Sequence, residues 1–142
     1  MRDYSNFGIN NRVDDHESYL AIYISVLLKN NPLHYVGFIE CIYFKKNKSL
    51  TIEDMNTRPE FWRKGLGLLR ISEVLKLLKE KNLEIETVVA EGVGCYSPTP
   101  EIRSGVEAFW SSLGFKASEQ DKWLEEWTAD GKTLETKLKE KL

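Results

Sequence analysis

Three stretches near the start of the chain are dense in β-branched and aromatic residues and broken by polar turns. S-Y-L-A-I-Y-I-S-V-L-L, from Ser18, ends at K-N-N-P; H-Y-V-G-F-I-E-C-I-Y-F ends at K-K-N-K; S-L-T-I-E-D-M-N follows at once. Asparagine and proline favour the breaks, so each stretch predicts a strand. Turns this short make the three antiparallel neighbours. After Pro59 the period changes. Ile71, Val74, Leu75 and Leu78 fall at i, i+3, i+4 and i+7, which predicts one buried helix face over Leu68–Leu78. Arg70, Glu73, Lys76 and Lys79 fall among its polar positions, and Asn82 marks its end.

I-E-T-V-V-A, from Ile85, reads as a buried strand reached through a right-handed crossover, parallel to the third. The loop E-G-V-G-C-Y-S-P-T-P leads to a short helix, E-I-R-S-G-V-E-A-F-W-S-S-L, closed by Gly114 as a left-handed C-cap. F-K-A-S and K-W-L-E-E-W-T predict a terminal hairpin, with A-D-G-K as a later turn. The order βββαβαββ predicts an α/β fold: a mixed, mostly antiparallel twisted sheet of about six to seven strands flanked by helices. Residues 1–17 are left as a variable N-terminal segment, and residues 132–142 as a charged tail that suits either a helix or a solvated end.

Composition narrows the function. The chain has 142 residues, enough for one domain with its own core. Net charge is −2, whereas a dedicated nucleic-acid binder is usually basic. No apolar run approaches the roughly 18 residues that span a bilayer, so a cytoplasmic protein is expected. Cys41 and Cys95 are far apart, with no C-x-x-C and no nearby histidine, which argues against zinc and leads to the expectation of no metal. Cys41 lies in an apolar run and reads as a core thiol; Cys95 has no basic partner nearby to activate it.

The segment richest in chemistry is R-P-E-F-W-R-K-G-L-G, residues 58–67. A strand that enters a helix through so small a turn leaves several N–H groups pointing one way, which is an anion site. Gly65 and Gly67 allow close backbone approach, and Arg63 and Lys64 add full charges. The turn alone equally suits a flexible helix entry. It is not a P-loop, because the lysine precedes both glycines, and it is not a dinucleotide fingerprint, because position 70 is arginine.

Element order, this turn and one later segment together resemble the GCN5-related N-acetyltransferase (GNAT) family over about residues 18–127. The family's Val-x-Pro-like step and Arg/Gln-x-x-Gly-x-Gly/Ala motif correspond to T-R-P at 57–59 and W-R-K-G-L-G at 62–67. A-F-W-S-S-L-G-F, residues 108–115, is similar to the family's A-x-x-Y-x-x-L-G-F pattern with the aromatic shifted. The resemblance implies acetyl-coenzyme A as co-substrate and an amine acceptor. It also implies main-chain contacts to the pantetheine arm from Met55, Asn56 and Thr57, and a pyrophosphate site at Trp62, Arg63, Lys64, Gly65, Leu66, Gly67 and Leu68, with Arg103 at the second motif.

Departures from the pattern shift the chemistry. Trp62 stands where the first motif has Arg or Gln, Arg103 where the family often has asparagine, and Trp110 where a tyrosine protonates the departing thiolate. An indole N–H can donate a hydrogen bond to a thiolate but cannot release its proton, so Trp110 reads as a wall and Tyr96 becomes the alternative phenol. Glu53 is the preferred base because it leads into the turn, with Glu40 next. Asp54 is expected on the opposite strand face unless a bulge intervenes. His34 reads as a surface histidine, and His16 carries no role. The alternative to an enzyme is a non-catalytic acyl-coenzyme A sensor or interaction module. W-L-E-E-W in the C-terminal region is expected to pack on the core or to mediate a homodimer.

Overall fold

The computed structural model describes residues 3–91, 100–117 and 126–142, and at 32–33 and 100–104 the backbone alone. Among these residues the chain forms β1 (Phe7–Asp15), β2 (Tyr19–Leu28), β3 (Asn31–Phe44) and β4 (Ser49–Thr57), then a 3-10 turn at Pro59–Phe61. α1 (Leu66–Glu80), β5 (Thr87–Ala90), α2 (Pro100–Ser112), β6 (Lys116–Ala117), β7 (Trp127–Asp130) and α3 (Gly131–Lys141) follow. The seven strands make one sheet in the order β1-β2-β3-β4-β5-β7-β6. Every neighbouring pair is antiparallel except β4 and β5, which run parallel across the α1 crossover.

The mixed, mostly antiparallel sheet matches expectation, and the element order gains a strand at the start and a helix at the end. β1 was illegible because Asn10, Asn11 and Arg12 break its alternation; it is an edge strand whose Phe7, Ile9 and Val13 are only half-buried. The last residues are not a frayed tail. Leu134 and Leu138 are buried on α3, and Lys79 of α1 reaches Glu135 at 3.8 Å. A-D-G-K is the junction of β7 and α3 rather than a free turn. Asp130 caps the helix, accepting from the Thr133 amide at 2.8 Å while its other oxygen accepts from the Thr133 hydroxyl at 2.8 Å.

These bonds lower the Asp130 pKa from its ordinary 3.8. A depressed carboxylate contributes stability above its unfolded value, and the contribution disappears as pH falls through the folded one. Asp130→Asn is therefore expected to flatten part of the acid limb of stability below 3.8. Urea denaturation from about pH 5 to about pH 2 checks this, and an unchanged acid limb would contradict it.

The core lies between the sheet and the helices. Leu20, Ile22, Ile24 and Val26 alternate inward along β2; Val26 packs with Val36 and Leu66, and the first three meet Ile71, Val74 and Leu78 of α1 in the main apolar layer. Cys41 is buried within it. Burial, with the charges of Glu53 and Glu40 nearby, pushes its thiol pKa up, so it is an unreactive core group. Gly114 adopts φ +88°, the left-handed C-cap its position predicted.

Two details of β3 and β4 position the site. On β4 the register steps from Cys41↔Ile52 to Glu40↔Asp54, so Glu53 is an extra residue in a β-bulge. Pairing with β5 stops at Ile52↔Ala90, while β4 continues to Thr57. The last residues of β4 therefore extend past the final partner on that side among the described residues.

Candidate functional site

The end of β4, the turn after it, the first turns of α1 and the second half of α2 enclose a cavity of about 670 Å³, within the range that holds small organic ligands. Met55, Asn56 and Thr57 form one wall, as the sequence predicted, and Trp62, Arg63, Gly65, Leu66, Gly67 and Leu68 form the next. Trp110 borders it from α2. Lys64 and Glu53 are exposed and do not border it. Tyr96 and Cys95 lie outside the described residues, as does the side chain of Arg103.

The turn is built by left-handed backbone. Gly65 is the N-cap of α1 at φ 76°, and Arg63 adopts φ 63°, a conformation that non-glycine residues seldom occupy. No side chain caps the helix, and its first return bond is Leu69 N–H to Gly65 C=O at 3.1 Å. The amides of Leu66, Gly67 and Leu68 thus have no partner within the helix, and the macrodipole adds partial positive charge there. Tyr4 ties the turn down from outside by donating to Gly65 C=O at 2.9 Å.

Trp62 takes up the motif position normally held by a charged or amide side chain. Its indole N–H donates to Thr57 C=O at 2.6 Å, joining the turn to the end of β4, while the ring stays 45% exposed. Gly67 has a further reason to be glycine besides the one the sequence suggested. A Cβ there would stand 3.1 Å from the Phe109 ring and 3.6 Å from the Met55 methyl, so this glycine lets α2 close against α1.

Trp110 is buried to 1% exposure, with its ring edge-on to Phe109 and to Phe115, each at 4.9 Å between centroids. It is a fixed aromatic wall. The carboxylates lie elsewhere. Glu53 and Asp54 are both exposed because the bulge interrupts alternation, and Asp54 stands across from the half-buried Glu40 on β3. His34 is half-buried and edge-on to Phe61 at 5.8 Å, so it is not the surface histidine expected. His16 is exposed and stacked on Tyr19.

The largest surprise is Arg70. Helical periodicity assigned it to the polar face, yet it is 1% exposed and is the buried charged residue among those described. Its Nε donates to Leu66 C=O at 3.1 Å and one terminal nitrogen to Phe38 C=O at 2.7 Å; further bonds go to Asn56 C=O and the Thr57 hydroxyl. Burial pulls its pKa down to about 10, against a smaller opposing effect of Tyr35. That is still well above neutrality, so the guanidinium is charged. Gly37, opposite Thr57 on β3, is the sequence signal that the periodicity reading passed over: a glycine inside a strand signals close approach by another group.

Arg63, Arg70 and Lys141 border the cavity, and among the described residues neither Asp nor Glu lines it. A site with cations, uncapped amides and no opposing carboxylate favours an anion.

Comparison with known proteins agrees with this geometry. A model of the acetyltransferase (GNAT) family matches residues 3–96. A sequence comparison with curated proteins gave no match. Among solved structures, the fold is similar to a PaiA N-acetyltransferase from Thermoplasma acidophilum in complex with coenzyme A. Identity there is 17% and the TM-score 0.57, over 80% of this chain and 61% of that one. A GNAT family acetyltransferase from Elizabethkingia anophelis with acetyl-CoA bound gives 13% identity and a TM-score of 0.59, over 89% of this chain and 99% of that one. A GNAT acetyltransferase from Staphylococcus aureus Mu50 gives 13% and 0.57, over 78% and 68%. With the family model covering most of the chain and a seven-stranded sheet in which only β4 and β5 run parallel, this protein belongs to the GNAT acetyltransferase family.

Proposed function

We propose that the chain is an acetyl-coenzyme A-dependent N-acetyltransferase that acts on a primary amine by direct attack in a ternary complex. The observation that carries this reading is the uncapped N-terminus of α1, opening with left-handed Gly65 into a cavity that no carboxylate lines among the described residues, beside the overhanging end of β4. The fit is specific in charge and shape. A diphosphate suits the amides of Leu66, Gly67 and Leu68 with Arg63 at the rim, and a pantetheine arm suits the backbone of Met55, Asn56 and Thr57 as an added strand.

Acetyl-coenzyme A supplies an acetyl group activated as a thioester. The chain must hold it, let the attacking amine lose a proton and let the thiol depart as the new C–N bond forms and the C–S bond breaks. Glu53, the base preferred from sequence, is exposed and does not border the cavity, so the proton of the amine is proposed to leave through solvent. The departing thiol has an ordinary pKa near 8.5, so an acid assists without being indispensable. Trp110 shapes the wall there and Tyr96 is the proposed phenol.

One observation favours a second reading. A buried tryptophan at the position of the tyrosine acid suits a module that binds acyl-coenzyme A without turning it over. Calorimetric titration with acetyl-coenzyme A, with desulfo-coenzyme A and ATP as comparison ligands, is expected to give saturable binding that ATP does not reproduce. Absence of binding would overturn both readings. Binding with acetylation of any amine in a broad panel supports the enzyme; binding with none supports the module.

A further inference from the structure

A buried guanidinium is an expensive way to fill space. Leucine or methionine at the same position of α1 would pack against β3 and β4 without desolvating a charge. Arg70 also has no carboxylate partner among the described residues, and its charge is balanced by three carbonyls and one hydroxyl. Four of the roughly five N–H groups of a guanidinium are thereby used, and they go to three different elements: the first turn of α1, β3 and the end of β4.

Two of those elements are the two walls of the cavity. Leu66 belongs to the amide cradle, and Asn56 and Thr57 to the overhanging strand. Gly37 is part of the same device. A Cβ on it would stand 2.6 Å from an Arg70 nitrogen and closer still to the Asn56 carbonyl. The guanidinium thus reaches the backbone only because β3 lacks a side chain there.

We propose that Arg70, seated over Gly37, is a positioning residue that fixes the spacing between the cradle on α1 and the end of β4, so that one ligand engages both walls at once. This rests on the cofactor reading for the identity of that ligand, and on geometry alone for the tie itself. Its effect is on ligands long enough to span the two walls. A ligand that reaches only the cradle is indifferent to where β4 ends.

The test uses the full chain as wild type, Arg70→Lys, Arg70→Met and Gly37→Ala. Lysine keeps the charge without the planar fork, and alanine at position 37 crowds both the fork and the Asn56 carbonyl, so it perturbs the whole tie while Arg70 stays in place. Each is titrated with coenzyme A and with 3′-phosphoadenosine 5′-diphosphate, the fragment that carries the phosphates without the pantetheine arm. The expected result is that the preference for coenzyme A over the fragment falls about tenfold in all three variants, the scale of losing a charge-assisted hydrogen bond. A general loss of stability would weaken both ligands together. An unchanged preference in folded variants would overturn the proposal.

Amide hydrogen exchange without ligand judges the tie independently. Exchange at Arg58 and Leu69, whose amides are held by Val36 C=O and Gly65 C=O, is expected to speed up about tenfold while Ile22 and Ile24 at the centre of β2 stay protected. Uniform acceleration, or none, would overturn it. If wild type does not bind coenzyme A, the cofactor reading fails by itself and the exchange result alone decides the role of Arg70. Should Arg70→Met not fold, Arg70→Lys and Gly37→Ala carry both readouts.

Discussion

Gly65→Glu is expected to abolish coenzyme A binding, with affinity falling beyond the reach of calorimetric titration while the chain stays folded. Two effects combine. Gly65 sits at φ 76°, and a side chain in that region costs roughly 1–2 kcal/mol, small against a typical total stability of about 5–15 kcal/mol. The carboxylate matters more. It would enter a cavity that no Asp or Glu among the described residues lines and take the place of a bound phosphate at the free amides of α1. Gly65→Ala separates the two, since it carries the backbone strain alone and is expected to weaken binding far less. Equal binding by the glutamate variant and wild type would remove the α1 cradle from the site.

The largest effect on stability is expected at Trp110. The ring is buried to 1% and held edge-on between Phe109 and Phe115, so Trp110→Ala leaves a void that the rigid neighbours only partly fill. The expected loss is about 3–5 kcal/mol, read as a lower urea midpoint at unchanged slope. A loss below about 1 kcal/mol would mean the site collapses freely. Trp110→Tyr keeps much of the ring and adds a phenol; it is expected to fold and to raise turnover on an amine that wild type acetylates. An unchanged rate would show that proton delivery to sulfur does not limit the reaction.

The sequence made these positions visible to different degrees. The alternating apolar residues of β2 and the i, i+3, i+4, i+7 row of α1 express a single buried face, so they were readable without knowing their partners. The glycine turn was readable for a similar reason, because positive φ and close backbone approach leave few choices of residue. β1 was hidden because an edge strand buries little and carries asparagines where a central strand carries valine. Arg70 was hidden more deeply. On a helix wheel an arginine beside the apolar row looks like the solvated edge of the stripe, and only its placement over Gly37 and the carbonyls of Phe38 and Asn56 makes burial tolerable. Gly67 carries a second constraint that the sequence did not show, since it comes from Phe109, forty-two residues further along the chain.

The bulge at Glu53 has an evolutionary corollary. Before it, Leu50 and Ile52 point into the core; after it, Met55 packs against the core and Thr57 reaches Arg70, while Asp54 lies across from Glu40. Inside and outside exchange parity at one inserted residue. Deleting Glu53 would remove the bulge and restore plain alternation, leaving Ile52, Met55 and Thr57 opposite Cys41, Ile39 and Gly37 as they are now. In descendants of this chain, one codon can therefore be lost here with the lining residues kept on their faces, so chain length can drift at this point of the strand without rewriting the cavity wall.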